Sequence, residues 1–483
     1  MKKILVFAFA VCCLVFSYAF IHQVNTSLPN IILIYLDDMG NGDLSITGAT
    51  QYQTPNIDKL ANDGIRFTNF LSVQAVCSAS RAALMTGCYP NRVGFFGALG
   101  PASKIGLNLN ETTMAEVVKQ KGYATTIIGK WHLGDHQKFL PPAQGFDSYY
   151  GIPYSNDMWP VWYDGKPATQ EQPLKNRYPP LFIYQNYEKA EPVNTLDDQA
   201  LLTKKYTAKA IDFIKKNKSN PFFLYLPHSM PHVPIAASKD FKGKSKQGMY
   251  GDVMMEIDWS VGQIIKTLDS LKLSQNTLVI LSSDNGPWLN FGNHAGSTGG
   301  LREGKGSIWE GGQRVPCIIK WPGVIQSGMI CNKLTATIDL FPTIAHICNA
   351  KLPDHKIDGI DILPLLKGQD ITPRKFLYYY YDINSLKAVR RDDWKLILPH
   401  VGRTYGDFPP GEDGFPGIVN ERSQTDTALF DLRRDPGERY NVMSQHSDIV
   451  NELIKVAEEA RNDLGDDITK RVGKNVRAVG KVE

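Results

Sequence analysis

The chain has 483 residues, of which 42% are hydrophobic and 21% charged, and its formal net charge is +4. This composition is that of an ordinary globular protein with enough length for one large domain and a smaller one. Charges of both signs are spread along the chain without a block of Lys or Arg, so nucleic acid is excluded as an expected partner.

The first residues predict an export signal. Two lysines, an apolar run over residues 4–16 and the small residues Ser17 and Ala19 are typical of a secretory signal peptide over residues 1–19. The run is shorter than the roughly 20 apolar residues of a membrane anchor. We therefore expect a periplasmic or secreted protein without a stable membrane span. Five cysteines follow, an odd number that becomes even if Cys77 is set aside for chemistry.

Two continuous apolar runs predict strands buried on both faces, and each ends in oxygen-bearing side chains. These side chains are Asp37 and Asp38 after residues 30–36, and Asp284 and Asn285 after residues 276–283. Ligands of open α/β sheets gather beyond the carboxyl ends of the strands, and oxygen ligands suit Ca²⁺ or Mg²⁺ better than a soft metal. The pattern predicts a hard-cation site, with a polar loop start as the plainer alternative.

The stretch 76–87 predicts a helix, with Ser78 or Ser80 as a possible cap. Cys77 would then lie at the positive end of the helix, where free N–H groups favour an anion or a thiolate. Arg81, four residues further on, lies on the same face. For a lone cysteine, the alternative is a buried thiol that opens an ordinary amphipathic helix.

A predicted strand over residues 123–128 is followed by Lys130 and His132. Residues two apart in an extended segment share a face, so these two side chains would point together. The alternative is a solvated lysine beside a loop histidine.

Another predicted strand, residues 221–226, ends before His228 and His232, which stand in an H-x-x-P-H-x-P pattern. The glycine-rich stretch 299–306 contains Lys305. It is not a P-loop, because the order of strand, GxxxxGK[ST] and helix is absent.

These stretches together resemble the signatures of the type I, formylglycine-dependent sulfatase family, in its arylsulfatase A-like branch. Residues 77–87 match the first signature, C-x-P/A-x-R followed by L-M-T-G, and residues 122–132 match the second nearly letter for letter. The strand ends, the histidine pair and the G-K-G-S stretch around Lys305 match the family's further motifs.

The resemblance implies an α/β architecture, the alkaline-phosphatase-like sulfatase fold. That fold has a large mixed sheet flanked by helices, and a small C-terminal antiparallel sheet with one helix. The resemblance divides the chain into an N-terminal catalytic domain over residues 20–365 and a C-terminal α+β subdomain over residues 366–483. Strand patterns at residues 376–381 and 394–398 and a helix pattern from residue 448 to about 464 fit that subdomain.

The resemblance also implies a cofactor and a set of site residues. Cys77 would be converted to 3-oxoalanine (formylglycine), and each chain would hold one Ca²⁺. The implied metal ligands are Asp37, Asp38, Asp284, Asn285 and the Cys77 derivative. The implied catalytic residues are Cys77, Arg81, Lys130, His132, His232 and Lys305, and the implied substrate contacts are Ser155, His228 and His294.

In the implied mechanism the aldehyde hydrate attacks sulfur while Lys130, His232 and Lys305 bind the sulfate oxygens. His232 or Lys305 protonates the leaving alcohol, and His132 removes the proton of the remaining hydroxyl so that sulfate departs. Arg81 orients the hydrate. Residues 158–198, rich in Pro, Tyr and Trp with weak periodicity, predict a loop-like insertion that either contacts a glycan or is a surface excursion.

The expected function is hydrolysis of sulfate esters, of O-sulfated sugars in glycans or of aryl sulfates (EC 3.1.6). One alternative is a phosphoesterase or phosphonate monoester hydrolase of the same superfamily, and another is a non-catalytic sulfated-glycan-binding protein. A purely structural exported protein would explain none of the matched strand ends. Most family members carry proline where this chain has Ala79, so the resemblance favours a radical-type sulfatase-maturing enzyme as a partner.

Overall fold

A computed structural model describes residues 28–482, so the predicted signal peptide lies outside the described residues. The strands are β1 (Asn30–Leu36), β2 (Ile65–Phe67), β3 (Phe70–Leu71), β4 (Ile105–Gly106), β5 (Ala124–Ile128), β6 (Ser148–Gly151), β7 (Leu181–Gln185), β8 (Glu188–Val193), β9 (Phe222–Pro227), β10 (Thr277–Ser283), β11 (Cys317–Lys320), β12 (Met329–Cys331), β13 (Thr335–Ala336), β14 (Phe376–Tyr381), β15 (Ser385–Arg391), β16 (Trp394–Ile397), β17 (His400–Thr404), β18 (Asn420–Thr425), β19 (Ala428–Asp431), β20 (Gly465–Asp466), β21 (Arg471–Val472) and β22 (Gly480–Lys481).

The α-helices of this part of the chain are α1 (Pro55–Asn62), α2 (Cys77–Thr86), α3 (Met114–Lys119), α4 (Pro173–Asn176), α5 (Leu196–Ala200), α6 (Leu202–Lys216), α7 (Met249–Ser270), α8 (Glu310–Gln313), α9 (Leu340–Ile347), α10 (Leu363–Leu366) and α11 (Ser447–Leu464). No helix among residues 28–482 is long and apolar enough to cross a membrane.

A mixed sheet of ten strands, with β1 near its middle, organises the larger part of the molecule. The strand order is β12-β2-β11-β10-β1-β9-β5-β6-β7-β8. The five central strands run parallel to one another, in the order β10, β1, β9, β5 and β6. At the two ends of this block, β11 pairs antiparallel with β10, and β7 pairs antiparallel with β6. The predicted mixed sheet is therefore confirmed, and its parallel centre directs several strand ends to one edge.

Strand β1 forms because all seven of its residues are buried, as its apolar run predicts. Alternate side chains enter two different cores: Ile31 and Leu33 pack under α2, α3 and α9, while Ile32 and Ile34 pack under α1, α6 and α7. Each fully buried Ile or Leu contributes roughly 1.5–3 kcal/mol of transfer free energy. This double burial fixes the position at which β1 ends.

The C-terminal part contains the predicted antiparallel sheet, in the order β14-β15-β16-β19, with α11 packed against it. Its core is continuous with the larger part, because Leu71, Val73 and Ala83 belong to the same apolar cluster as Leu377 and Leu396. The two parts therefore share buried surface.

Residues 158–198 are not the loop-like insertion that their weak periodicity predicts. They include β7 and β8, a hairpin that extends the large sheet at one end, with a register shift between Ile183 and Tyr184. The shift interrupts strict alternation, and only part of each strand is buried, which explains the weak pattern. The five cysteines of the described residues are buried free thiols.

Candidate active site

The side chains predicted to bind metal meet where β1 and β10 end. The two strands pair in parallel with Leu36 opposite Ser283, so the residues that follow them lie side by side. Asp38 donates its backbone N–H to Asp284 Oδ1 at 3.1 Å, and Asn285 Nδ2 donates to Asp38 Oδ1 at 2.6 Å. The φ of Asp38 is 65°, a left-handed conformation that non-glycine residues adopt mainly at constrained sites. Hydrogen bonds within the site thus hold the loop after β1.

Helix α2 begins at Cys77, and every one of its residues is buried. The prediction of a serine cap is wrong, because Val76 occupies the N-cap position without a side-chain bond. The Ser78 hydroxyl instead accepts the backbone N–H of Leu99 at 3.0 Å, and the Ser80 hydroxyl bonds within the core. Both serines therefore fasten the helix to its surroundings.

Arg81 lies one turn after Cys77 and joins both strand ends. Its Nε and Nη2 donate to Asp284 Oδ2 at 3.0 and 2.8 Å, and Nη2 lies 3.5 Å from Asp37 Oδ2. The Lys130 ammonium, which follows β5, pairs with the same Asp37 oxygen. Arg81 also donates to the Lys130 carbonyl at 3.1 Å, so α2, β1, β5 and β10 are tied together at one point.

Lys305, which lies in the glycine-rich loop, is the third cation of this site. Its Nζ lies 2.8 Å from the Asp38 carboxylate, and its aliphatic stem is buried. Three buried cations therefore face three buried carboxylates: Arg81, Lys130 and Lys305 against Asp37, Asp38 and Asp284. A divalent cation would make this centre strongly positive and suited to an anionic ester.

The pKa shifts of the carboxylates follow from their crowding. Burial alone would raise the pKa of Asp37, but the charges of Lys130 and then Arg81 outweigh burial and hold that pKa well below its usual range. The pKa of Asp284 is raised, first by burial and then by the Asp37 charge. Asp37 and Asp284 both contact the Arg81 guanidinium, so the ionisation of one carboxyl group depends on that of the other. A further cation on their oxygens would favour the doubly ionised form.

His132 follows Lys130 at the end of β5 and has a φ of 63°. Its Nε2 lies 2.8 Å from the Leu99 carbonyl oxygen, which can only accept, so the ring proton resides on Nε2. The Nδ1 atom is buried and has no hydrogen-bond partner among the described residues. Burial, followed by the charge of Lys130, lowers the pKa of His132. The ring is therefore a neutral imidazole with a free lone pair.

His232 has the opposite arrangement. Its Nδ1 lies 2.6 Å from the Val233 carbonyl oxygen, and its Nε2 lies 3.6 Å from Asp38 Oδ2. Burial and then the Lys305 charge lower the pKa of His232. The neutral ring thus carries its proton on Nδ1 and presents an Nε2 lone pair to the cluster.

The donor set fits a hard cation. Asp37 Oδ1 and Asn285 Oδ1 are buried oxygens without a hydrogen-bond partner in the described part of the chain. One ligand atom each from Asp37, Asp38 and His232 lie within 4.8 Å of one another. Buried oxygens without partners are costly, and a divalent cation such as Ca²⁺ or Mg²⁺ would satisfy them.

The structure brings one of the three predicted substrate residues to this cluster. Ser155 Oγ accepts a hydrogen bond from Lys130 Nζ at 3.0 Å. His228 lies elsewhere: it is fully buried, with Nε2 3.3 Å from Ser260 Oγ and its ring against Tyr206. His294 ends a 3₁₀ turn, its ring lies beside Gly414 of the C-terminal part, and its Nδ1 has no hydrogen-bond partner among residues 28–482.

Three further side chains border the cluster without having been singled out from the sequence. The Trp288 ring lies 4.5 Å from Lys305 Nζ and 5.7 Å from the His232 ring. Tyr381, from the C-terminal sheet, packs against the small apolar cluster of Val76, Cys77 and Ala79. Burial would raise the pKa of Asp157, but the neighbouring His232 and Lys175 side chains bring that pKa below its usual value. Trp288 and Asp157 lie close in sequence to the Asp284 and Ser155 motifs, and this proximity could have indicated that they border the site. No local sequence pattern indicates that Tyr381 lies there.

An oxygen-rich, cation-lined centre at the carboxyl edge of a mixed sheet defines a hydrolase of anionic esters. The family model "Sulfatase" matches residues 29–350, and models of the C-terminal regions of N-sulphoglucosamine sulphohydrolase and of aryl-sulfatase match residues 304–401 and 372–479. The chain belongs to the sulfatase family, and its activity is that of a sulfuric ester hydrolase.

Individual relatives agree with this assignment. Arylsulfatase A of Bos taurus is 37% identical over 449 residues, covering 90% of this chain and 87% of its own. N-acetylgalactosamine-6-sulfatase of Mus musculus is 38% identical over 446 residues, covering 87% of this chain and 83% of its own. A sulfatase structure from glycosaminoglycan metabolism in Bacteroides thetaiotaomicron has a TM-score of 0.74 at 31% identity, covering 90% of this chain and 100% of that one. The alkaline-phosphatase-like sulfatase fold is thereby confirmed.

Proposed function

We propose that the protein is an exported sulfatase that removes sulfate from O-sulfated sugars of glycans, with a formylglycine made from Cys77 and a bound Ca²⁺. The observation that carries the proposal is the balanced cluster of three carboxylates and three cations at the start of α2. Its unpartnered oxygens leave room for a cation, and its ammonium groups can bind sulfate.

The state of position 77 supports a chemical change at this residue. Burial raises the pKa of the Cys77 thiol, so the encoded side chain is a poor thiolate nucleophile at neutral pH. A sulfated thiol would also lack an easy route to release sulfate. Oxidation to the aldehyde replaces it with a hydrate that carries two hydroxyl groups, one to attack sulfur and one to expel the sulfate.

The residues around position 77 can take the remaining roles. Lys130 and Lys305 bind the sulfate oxygens, and Arg81 orients the hydrate. The free Nδ1 of His132 accepts the proton of the second hydroxyl, which breaks the bond to sulfate and restores the aldehyde. The leaving alcohol takes a proton from Lys305 or from His232, and His232 can donate through Nε2 only in its imidazolium form.

The metal would be held by Asp37, Asp38, Asp284 and Asn285 together with the side chain at position 77. When bound, it supplies positive charge that polarises the sulfate group. The chain's own residues hold the site in place, because Arg81 binds Asp284 and Lys130 binds Asp37. Exhaustive chelation should abolish turnover while leaving the protein folded, and full activity after chelation would contradict the metal assignment.

The substrate class rests on the relatives. N-acetylgalactosamine-6-sulfatases and a sulfatase of glycosaminoglycan metabolism act on sulfated sugars by their names, and an exported enzyme would meet such glycans. The test is a panel of sulfated mono- and disaccharides beside an aryl sulfate, with sulfate release as the readout. Faster turnover of an aryl phosphate than of the aryl sulfate would favour a phosphoesterase, and retained glycan binding without turnover would favour a binding protein.

A further inference from the structure

A cavity of about 640 Å³ lies beside the loop that carries Lys305. One wall is the 3₁₀ turn Leu289–His294, and the other comes from residues 405–418 of the C-terminal part. Tyr405, which lines the cavity, donates its hydroxyl to the Lys305 carbonyl at 2.5 Å. On the other wall, Leu289 follows Trp288, the residue that lies against Lys305 and His232. The cavity therefore adjoins the side of the active site that would face the leaving alcohol.

The two walls are fixed to each other by their backbones. The N–H groups of Gly411 and Gly417 both donate to the Asn290 carbonyl, at 2.8 and 2.7 Å. A Cβ added at Gly292 would come within 1.9 Å of the Gly411 carbonyl oxygen, so the walls meet there without room for a side chain. A cavity held in this way is formed before any ligand arrives, which lowers the entropy cost of binding.

The lining has the chemistry of a sugar site. Asn290 is 7% exposed, and its Oδ1 has no hydrogen-bond partner among the described residues. The apolar side chains of Phe408 and Ile418 line the cavity although they are 43% and 70% exposed. Sugars present apolar C–H faces, which the Phe408 ring and the Ile418 side chain would contact, and hydroxyl donors, which the Asn290 amide oxygen could accept once that buried side chain turns towards the cavity.

The charge of the cavity differs from that of the sulfate centre. Glu412 lines it and forms no ion pair among the described residues, and none of the described lining residues is Lys, Arg or His. The segment 405–418 contains three acidic residues and no basic one. The arginine bonded to the lining, Arg403, donates to the Tyr405 hydroxyl but is already paired with Glu421, so an anionic group in the cavity would meet like charge.

We infer that this cavity binds the sugar unit next to the sulfated one, and that it selects an uncharged unit over a uronate or a second sulfated sugar. The inference rests on the proposed function for the identity of the neighbouring sulfated sugar. It makes the enzyme one that acts on oligosaccharides in which the sulfated unit is linked to a neutral hexose or N-acetylhexosamine.

The test compares three substrates that share one sulfated sugar: the monosaccharide, its disaccharide with a neutral hexose, and its disaccharide with a hexuronate. We expect the neutral disaccharide to have a KM about tenfold below that of the monosaccharide, and the hexuronate disaccharide to lack this gain. Phe408→Ala should raise the KM of the neutral disaccharide to that of the monosaccharide. Glu412→Gln should reduce the difference in KM between the two disaccharides. Turnover of a small aryl sulfate should be unchanged in both variants.

Tyr440→Ala is the control, because Tyr440 is an exposed aromatic residue outside the cavity lining. Calorimetry with the desulfated neutral disaccharide gives a readout that does not depend on sulfate hydrolysis. Binding that Phe408→Ala weakens supports the inference even if no sulfate ester is turned over, in which case only the proposed function fails. Equal KM values for all three substrates, or a gain that Phe408→Ala leaves intact, would overturn the inference.

Discussion

His132 has one ring nitrogen bonded to a carbonyl and the other without a hydrogen-bond partner among residues 28–482, which is the arrangement a general base needs. We expect His132→Gln to release about one equivalent of phenol per aldehyde-bearing site from an aryl sulfate, followed by turnover slowed at least about 100-fold. Glutamine keeps a donor for the Leu99 carbonyl while removing the base. Rapid-quench kinetics would show the burst.

The exposed His136 provides the control, since His136→Gln should leave both phases unchanged. A His132→Gln enzyme with normal steady-state turnover would show that another group removes the proton. Loss of the burst itself would place His132 before the attack on sulfur.

At the level of elements, the continuous apolar runs of β1 and β10 and the motifs after them could be predicted from the sequence, because burial on both faces leaves an unbroken signal. The hairpin β7–β8 could not, since its register shift and half-exposed strands leave no regular period. The placement of Tyr381 against the apolar cluster that contains Cys77 depends on how the C-terminal sheet packs on the larger part, which no local pattern encodes.

The side chain of His228 does not lie where its motif predicts. It follows β9 within a recognisable pattern, yet it points into the core between Tyr206 and Ser260, where burial lowers its pKa to about 4. A histidine that is neutral when folded and charged when unfolded destabilises the fold as pH falls below about 6.5.

Consequently, His228→Leu should reduce the acid sensitivity of the fold. Its free energy of unfolding should fall about 2 kcal/mol less than that of the wild type between pH 7 and pH 4.5. Urea titrations at the two pH values measure this, with His136→Leu as an exposed control. Identical pH dependence in His228→Leu and wild type would mean that His228 is not buried as a neutral group.

On the scale of the whole molecule, a buried ionic cluster joins the larger part of the chain to the C-terminal sheet. Glu310 of α8 lies 3.1 Å from Arg390 Nη1 and from Lys395 Nζ, and accepts the Tyr379 hydroxyl at 2.8 Å. Arg314 binds the same carboxylate at 2.6 Å. We propose that residues 20–365 and 366–483 are two folding units and that this cluster couples them.

Glu310→Gln should therefore lower the free energy of unfolding by about 3–5 kcal/mol, because it removes the carboxylate that the buried Arg390 shares with Arg314, and Lys395 keeps only its pair with Glu438. Asp354→Asn, which breaks the exposed pair with Lys351, should change it by less than about 1 kcal/mol. Urea unfolding of both variants makes the comparison. Equal effects would show that the two parts are not coupled through Glu310.

We propose that activity depends on the chemical state of position 77. Cys77 is 2% exposed and Ala79 is fully buried in the folded chain. We therefore propose that conversion of Cys77 precedes folding and that Ala79 directs it to a radical-type maturing enzyme.

The direct measurement is the mass of the tryptic peptide over residues 67–81, taken beside specific activity, in preparations made with and without that enzyme. We predict a peptide that is lighter than the encoded cysteine form and inert to thiol alkylation. Specific activity should be proportional to the fraction of this peptide and should be zero in preparations that lack it. Full activity in a preparation whose Cys77 is wholly alkylatable would contradict the account.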